Sequence, residues 1–81
     1  MVKDFRVGAH YVVVEGGYAG TVLKAIGGGR LGVTCVIVVA KNSPSVGPEV
    51  RKAPGDHFVA GYGKYYVEIS EEEIPIYTMG G

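Results

Sequence analysis

At 81 residues the chain has room for a single hydrophobic core, and a chain this short buries only about 60–65% of the surface that its unfolded state exposes. Eight basic and eight acidic side chains cancel, so the Lys and Arg excess from which nucleic-acid binders draw most of their affinity is missing, and nucleic acid is not a favoured partner. The lone cysteine, Cys35, excludes an internal disulfide, and Cys35, His10 and His57 lack the paired spacing of a zinc site, so neither metal nor cofactor is expected.

The longest apolar run, Val33 to Ala40, falls far short of the roughly 20 residues a membrane-spanning helix needs. Met1-Val2-Lys3-Asp4 does not open like a signal peptide, and one unpaired cysteine suits a reducing compartment. The expectation is a cytoplasmic protein with no membrane partner.

Fourteen glycines and four prolines break the chain too often for an apolar repeat at helical spacing, and Val, Ile and Tyr fill the intervals. These β-branched and aromatic residues fit a pleated, half-buried surface. The first strand is read as Ala9 to Glu15, ending at Gly16-Gly17, a pair able to supply a turn with positive φ. The second runs from Tyr18 to Ile26, with Gly20 as a candidate bulge, and Gly27-Gly28-Gly29 opens a hairpin. The third, Arg30 to Ala40, is apolar on both faces: Val33, Cys35, Ile37 and Val39 on one, Thr34, Val36, Val38 and Ala40 on the other. Both faces are therefore expected to be covered.

Between Lys41 and Asp56, three prolines and two glycines rule out a long strand or helix and predict a long loop, the natural place for ligand or protein contacts. A fourth strand follows at His57 to Ala60 and a fifth at Lys64 to Ser70. In the fifth, Tyr65, Val67 and Ile69 are assigned to the core and Tyr66 to the outside. Ser70-Glu71-Glu72-Glu73 predicts one 3₁₀ turn before a last short strand, Ile74 to Tyr77, whose Pro75 confines it to an edge. The predicted class is all-β: one domain spanning residues 1–81, a small barrel of five or six antiparallel strands with a 3₁₀ turn before the last.

Val7-Gly8 before a strand, followed by Gly16-Gly17-Tyr18-Ala19-Gly20-Thr21-Val22 and by the turn at Glu71 to Glu73, resembles SH3-like barrels of the KOW and translation-protein type. That resemblance implies a barrel and no particular chemistry, since such barrels host many functions. The C-terminal Gly80-Gly81 is similar to the tail of ubiquitin-like sulfur carriers, which implies a helix across the sheet where residues 27–40 read as hairpin and strand. Size and strand order are similar to the plasmid-borne dihydrofolate reductases, but Ile74-Pro75-Ile76-Tyr77 lacks the amide of their Val-Gln-Ile-Tyr pore motif.

Gly27-Gly28-Gly29-Arg30-Leu31-Gly32 fits the dinucleotide pattern G-x-G-x-x-G but leads into a strand, whereas a pyrophosphate needs a helix N-terminus there. Cys35, inside a Val and Ile run, is read as a packing residue. His57 beside Asp56 has no nucleophile at useful spacing, so no catalytic group is assigned and the chain is expected not to be an enzyme. The candidate binding residues are Arg51 and Lys52 in the long loop, His57, Tyr62 in the turn Gly61-Tyr62-Gly63, and the outward Tyr66. A self-associating interaction module follows, because a small chain with two apolar strand faces must cover the second, and another subunit is an available cover.

Overall fold

A computed structural model describes residues 5–28, 32–61 and 65–79. Five strands form one antiparallel sheet: β1 (His10–Val13), β2 (Val22–Gly28), β3 (Val33–Val39), β4 (His57–Ala60) and β5 (Tyr66–Ile69), in the order β4-β3-β2-β1-β5. The third-strand reading therefore holds: 33–39 is extended, hydrogen-bonded between β2 and β4. The sheet curls, so Ala60 and Tyr66 from the two ends of the strand order enter the same core.

That core lies on one face and is built from Tyr11, Val13, Leu23, Ala25, Val33, Cys35 and Ile37, with Ala60 and Tyr66. Fully burying a Leu or Ile side chain such as Leu23 or Ile37 stabilises by about 1.5–3 kcal/mol each, which is most of what a chain of this size can draw on. Phe5 caps it, with its ring edge-on to Tyr11 at 4.6 Å and to Tyr66 at 5.7 Å. Gly32 is required by close approach: a Cβ there would sit 2.4 Å from the Ala60 carbonyl oxygen.

Strict alternation along β3 breaks once. Val22 pairs with Val39 and Leu23 with Ile37, leaving Val38 as an extra residue, and a second bulge leaves Ile26 unpaired in β2. The slip at Val38 reverses the side-chain parity beyond it. Val38 and Val39 both pack on the second face and Ala40 turns to the first core, opposite to the assignment for Val39 and Ala40 made from sequence.

Other elements depart from expectation for local reasons. Gly20, expected as a bulge within the second strand, sits in the connection before β2 at φ +93°, because Gly20 N–H donates to Val13 O and Thr21 N–H to Tyr18 O, forming a wide turn over 14–21. Gly27 and Gly28 extend β2, and the expected hairpin tip falls on residues outside those described. In β5, Tyr66 faces the first core and Tyr65 is exposed, the reverse of the predicted sides. The register Val13↔Tyr66 sets this, because it places Tyr66 beside core residues and Phe5.

The expected final strand is a helix, α1 (Ile74–Met79). Pro75 lies in its first turn, a position that the fixed φ of proline suits. The 3₁₀ turn Glu71–Glu73 leads into it, with Ser70 N–H donating to Glu73 Oε1 at 2.9 Å and Glu73 N–H to Ser70 O at 3.0 Å. Ile74 and Tyr77 pack on a smaller second cluster of Val12, Val22 and Ile69.

Candidate interaction surface

The second face of the sheet consists of three cross-strand rows fixed by register. One row holds Val67, Val12, Val22 and Val39; the next Ile69, His10, Lys24, Val36 and His57; the last Gly27, Thr34 and Val59. Packing by α1 covers the first row's Val12 and Val22. The cover stops there: Val36 is half-buried, while Lys24, Thr34, His57 and Val59 are exposed, Val59 at 66%. The expected cover of both faces of β3 is therefore partial within one chain.

β4 borders this uncovered half and is one end of the sheet. Ile37 N–H donates to Asp56 O, which assigns the Asp56 carbonyl and, by alternation, the backbone groups of Phe58 and Ala60 to the β3 ladder, while Asp56 N–H turns back to Ala53 O. By alternation the N–H and C=O of His57 and Val59 point away from the sheet, as the groups of an edge strand do. Two apolar side chains, Val36 and Val59, and two hydrogen-bonding peptide units thus adjoin on one surface, bordered by Lys24 and His57.

The long loop after β3 holds one 3₁₀ turn, Pro48–Val50, and is tied down throughout. Thr21 Oγ1 donates to Lys41 O at 3.0 Å and accepts from Lys41 N–H at 3.1 Å, and Ser43 N–H donates to Gly17 O. The Asn42 amide clamps the Lys52 backbone, donating to Lys52 O at 2.9 Å and accepting from Lys52 N–H at 2.8 Å. Tyr18 donates its hydroxyl to Val50 O and sets its ring edge-on to Phe58 at 5.9 Å. A segment expected to be an open loop is pinned against the β1–β2 connection because its polar side chains satisfy backbone groups on both sides.

The sequence-predicted site residues scatter. Arg51 is exposed just after the 3₁₀ turn, and Lys52 is half-buried with its backbone clamped. His57 is exposed on the second face. Asp56 does not orient it: its carboxylate accepts from Ala53 N–H at 2.9 Å, closing its own turn. Tyr66 is a core residue, 9% exposed, so its predicted outward role is withdrawn; burial, and secondarily nearby Cys35, push its phenol pKa up. Tyr62 lies outside the described residues. Cys35 is buried as expected, and burial pushes its thiol up to about 11.

A separate open groove of about 430 Å³ runs along the start of β1 and the end of β5, lined by Arg6, Val7, Gly8, Ala9, His10, Glu68, Ile69 and Glu71. Arg6 and Glu68 form an exposed ion pair across it, and the Glu68 carboxylate, by hydrogen bond and charge, raises the Arg6 pKa. Sequence reasoning passed over this place, although His10 and Lys24, polar residues within Val-rich runs, were its available signal. No protein-family model, curated protein or solved structure matches this chain.

Proposed function

We propose that this chain is an SH3-like small β-barrel that works in the cytoplasm as a non-enzymatic interaction module and associates with further copies of itself. One observation carries the reading: α1 covers only part of the second sheet face, and the rest joins exposed Val59 and half-buried Val36 to the outer edge of β4, which pairs with no other strand among the described residues. Exposed apolar side chains beside free strand peptides invite another strand or sheet, and an identical chain brings the same surface to a two-fold contact. Lys24 and His57 border it, polar groups of the kind an interface rim carries. Extended β3 supports this reading over a sulfur carrier, whose resemblance implied a helix in that stretch.

Light scattering over an about hundredfold concentration range tests it, since an associating chain shifts mass with concentration. Wild-type protein is expected to gain mass, and Val59→Asp, at a position two-thirds exposed, to stay monomeric with an unchanged melting temperature. Val36→Asp is expected to impair both assembly and stability far more than Lys41→Asp. A wild-type monomer at every concentration would remove the proposal, and adenylation of Gly81 by an activating enzyme would replace it with the carrier reading.

A further inference from the structure

The two outer strands of the sheet are not equivalent. In β5, the bond from Val14 N–H to Tyr65 O assigns the backbone groups of Tyr65, Val67 and Ile69 to the β1 ladder, so by alternation those of Tyr66 and Glu68 point away from the sheet. That edge is guarded: the Glu68 side chain, ion-paired to Arg6, sets charge beside it, a device by which sheets keep other strands off. β4, at the other end, reads His57-Phe58-Val59-Ala60 and carries no proline, lysine, arginine, aspartate or glutamate, and its outward peptide groups are those of His57 and Val59. Phe58 is only half-buried within one chain, edge-on to Tyr18, so apolar surface of its side chain is left to be covered as well.

We propose that two copies pair β4 with β4, antiparallel about a two-fold axis at Phe58, joining two five-stranded sheets into one continuous sheet. The proposal rests on self-association and adds its geometry. The outward groups lie two residues apart, so setting His57 opposite Val59 of the second copy, and Val59 opposite His57, lets each such pair exchange both of its peptide hydrogen bonds. An axis at His57 or at Val59 pairs that residue with its own copy and carries the other past the strand end, to Gly55 or Gly61. With the axis at Phe58, the two Phe58 residues form a non-hydrogen-bonded pair, whose side chains approach closely on the core face. On the second face, Val59 comes beside His57 of the second copy, and no like charges meet along the seam. Pairing β4 with β5 of a neighbour would instead run past the guarded edge and continue as an open series of copies.

Isotope-filtered NOE spectroscopy on mixed labelled and unlabelled chains, at a concentration where light scattering shows association, tests the geometry. A contact from Phe58 Hα to Phe58 Hα of the other copy is expected, because Cα atoms of such a pair lie about 4.5 Å apart. Val59→Pro removes an N–H that the β3 ladder does not use, so the fold is expected to stand while association weakens about tenfold or more, through the loss of one peptide bond from each copy. Val59→Thr keeps the N–H and the branched shape and is expected to associate nearly as well as wild type. If Val59→Pro does not fold, the wild-type Phe58 contact decides alone. Association without that contact, or contacts from β4 to Tyr66–Ile69 of the other copy, would overturn the pairing and leave self-association in place. The pairing also falls if Val59→Pro associates like wild type, or if Val59→Thr loses as much as Val59→Pro, which would point to side chains stacking on the second face. A monomer at every concentration would remove both the pairing and the reading beneath it.

Discussion

Replacing Asn42 by alanine removes both hydrogen bonds that hold the Lys52 backbone, at 2.9 and 2.8 Å, and with them the clamp across the long loop. Each such bond contributes about 1 kcal/mol net, so the expected loss is about 2 kcal/mol, moderated because both residues are only half-buried and water can reach the freed groups. At about 2.1 cal/mol/K of unfolding entropy per residue, a chain of this length converts that loss into a melting temperature lower by roughly 12 °C. Differential scanning calorimetry measures it. Asn42→Asp keeps the acceptor for Lys52 N–H but loses the donor to Lys52 O, and is expected to fall between wild type and alanine. Trypsin supplies a local readout, since a released loop exposes Arg51 and Lys52 to faster cleavage. A melting temperature within about 2 °C of wild type, with unchanged cleavage, would refute the reasoning, because at that size the clamp adds nothing to fold or loop.

Two further outcomes follow from the core. Tyr66→Ala removes a buried ring that packs edge-on to Phe5, and is expected to cost about 3–5 kcal/mol in a denaturant titration; a loss under about 1 kcal/mol would return Tyr66 to the surface. Burial raises the Cys35 thiol from an ordinary 9.0 to about 11. The unfolded chain therefore ionises this group first, so its contribution to stability is complete below pH 9 and is lost as pH rises toward 11. Between those values the wild-type melting temperature is expected to fall more steeply than that of Cys35→Val, and parallel curves would contradict the assignment.

What could be read from the residues divides along a physical line. β3 was legible because seven consecutive positions from Val33 to Val39 are dominated by β-branched residues and preceded by Gly32, a property of the segment itself. Its second half was misassigned because a bulge at Val38 is a property of the pairing with β2, and no feature of 33–40 taken alone reveals it. The same holds for β5, where alternation was correct and its direction was not: the side facing the core is chosen by β1 and by Phe5, more than fifty residues away. Ile74-Pro75-Ile76-Tyr77 is a short apolar run that periodicity cannot assign, and the capping pair Ser70 and Glu73 decided it for helix. In the site, the exposure of His57 and Arg51 could be read, whereas the burial of His10 and the clamping role of Asn42 depend on neighbours brought together only by the fold.

Self-association, as proposed, places a second copy on the uncovered β3–β4 half of the sheet. Hydrogen–deuterium exchange at dilute and concentrated protein reads that surface directly, through the outward amides of His57 and Val59. Exchange across His57–Ala60 is expected to slow as concentration rises, while Ile74–Met79, on the covered side, is unchanged. Exchange in β4 that stays the same at both concentrations, or protection appearing on α1 instead, would contradict it.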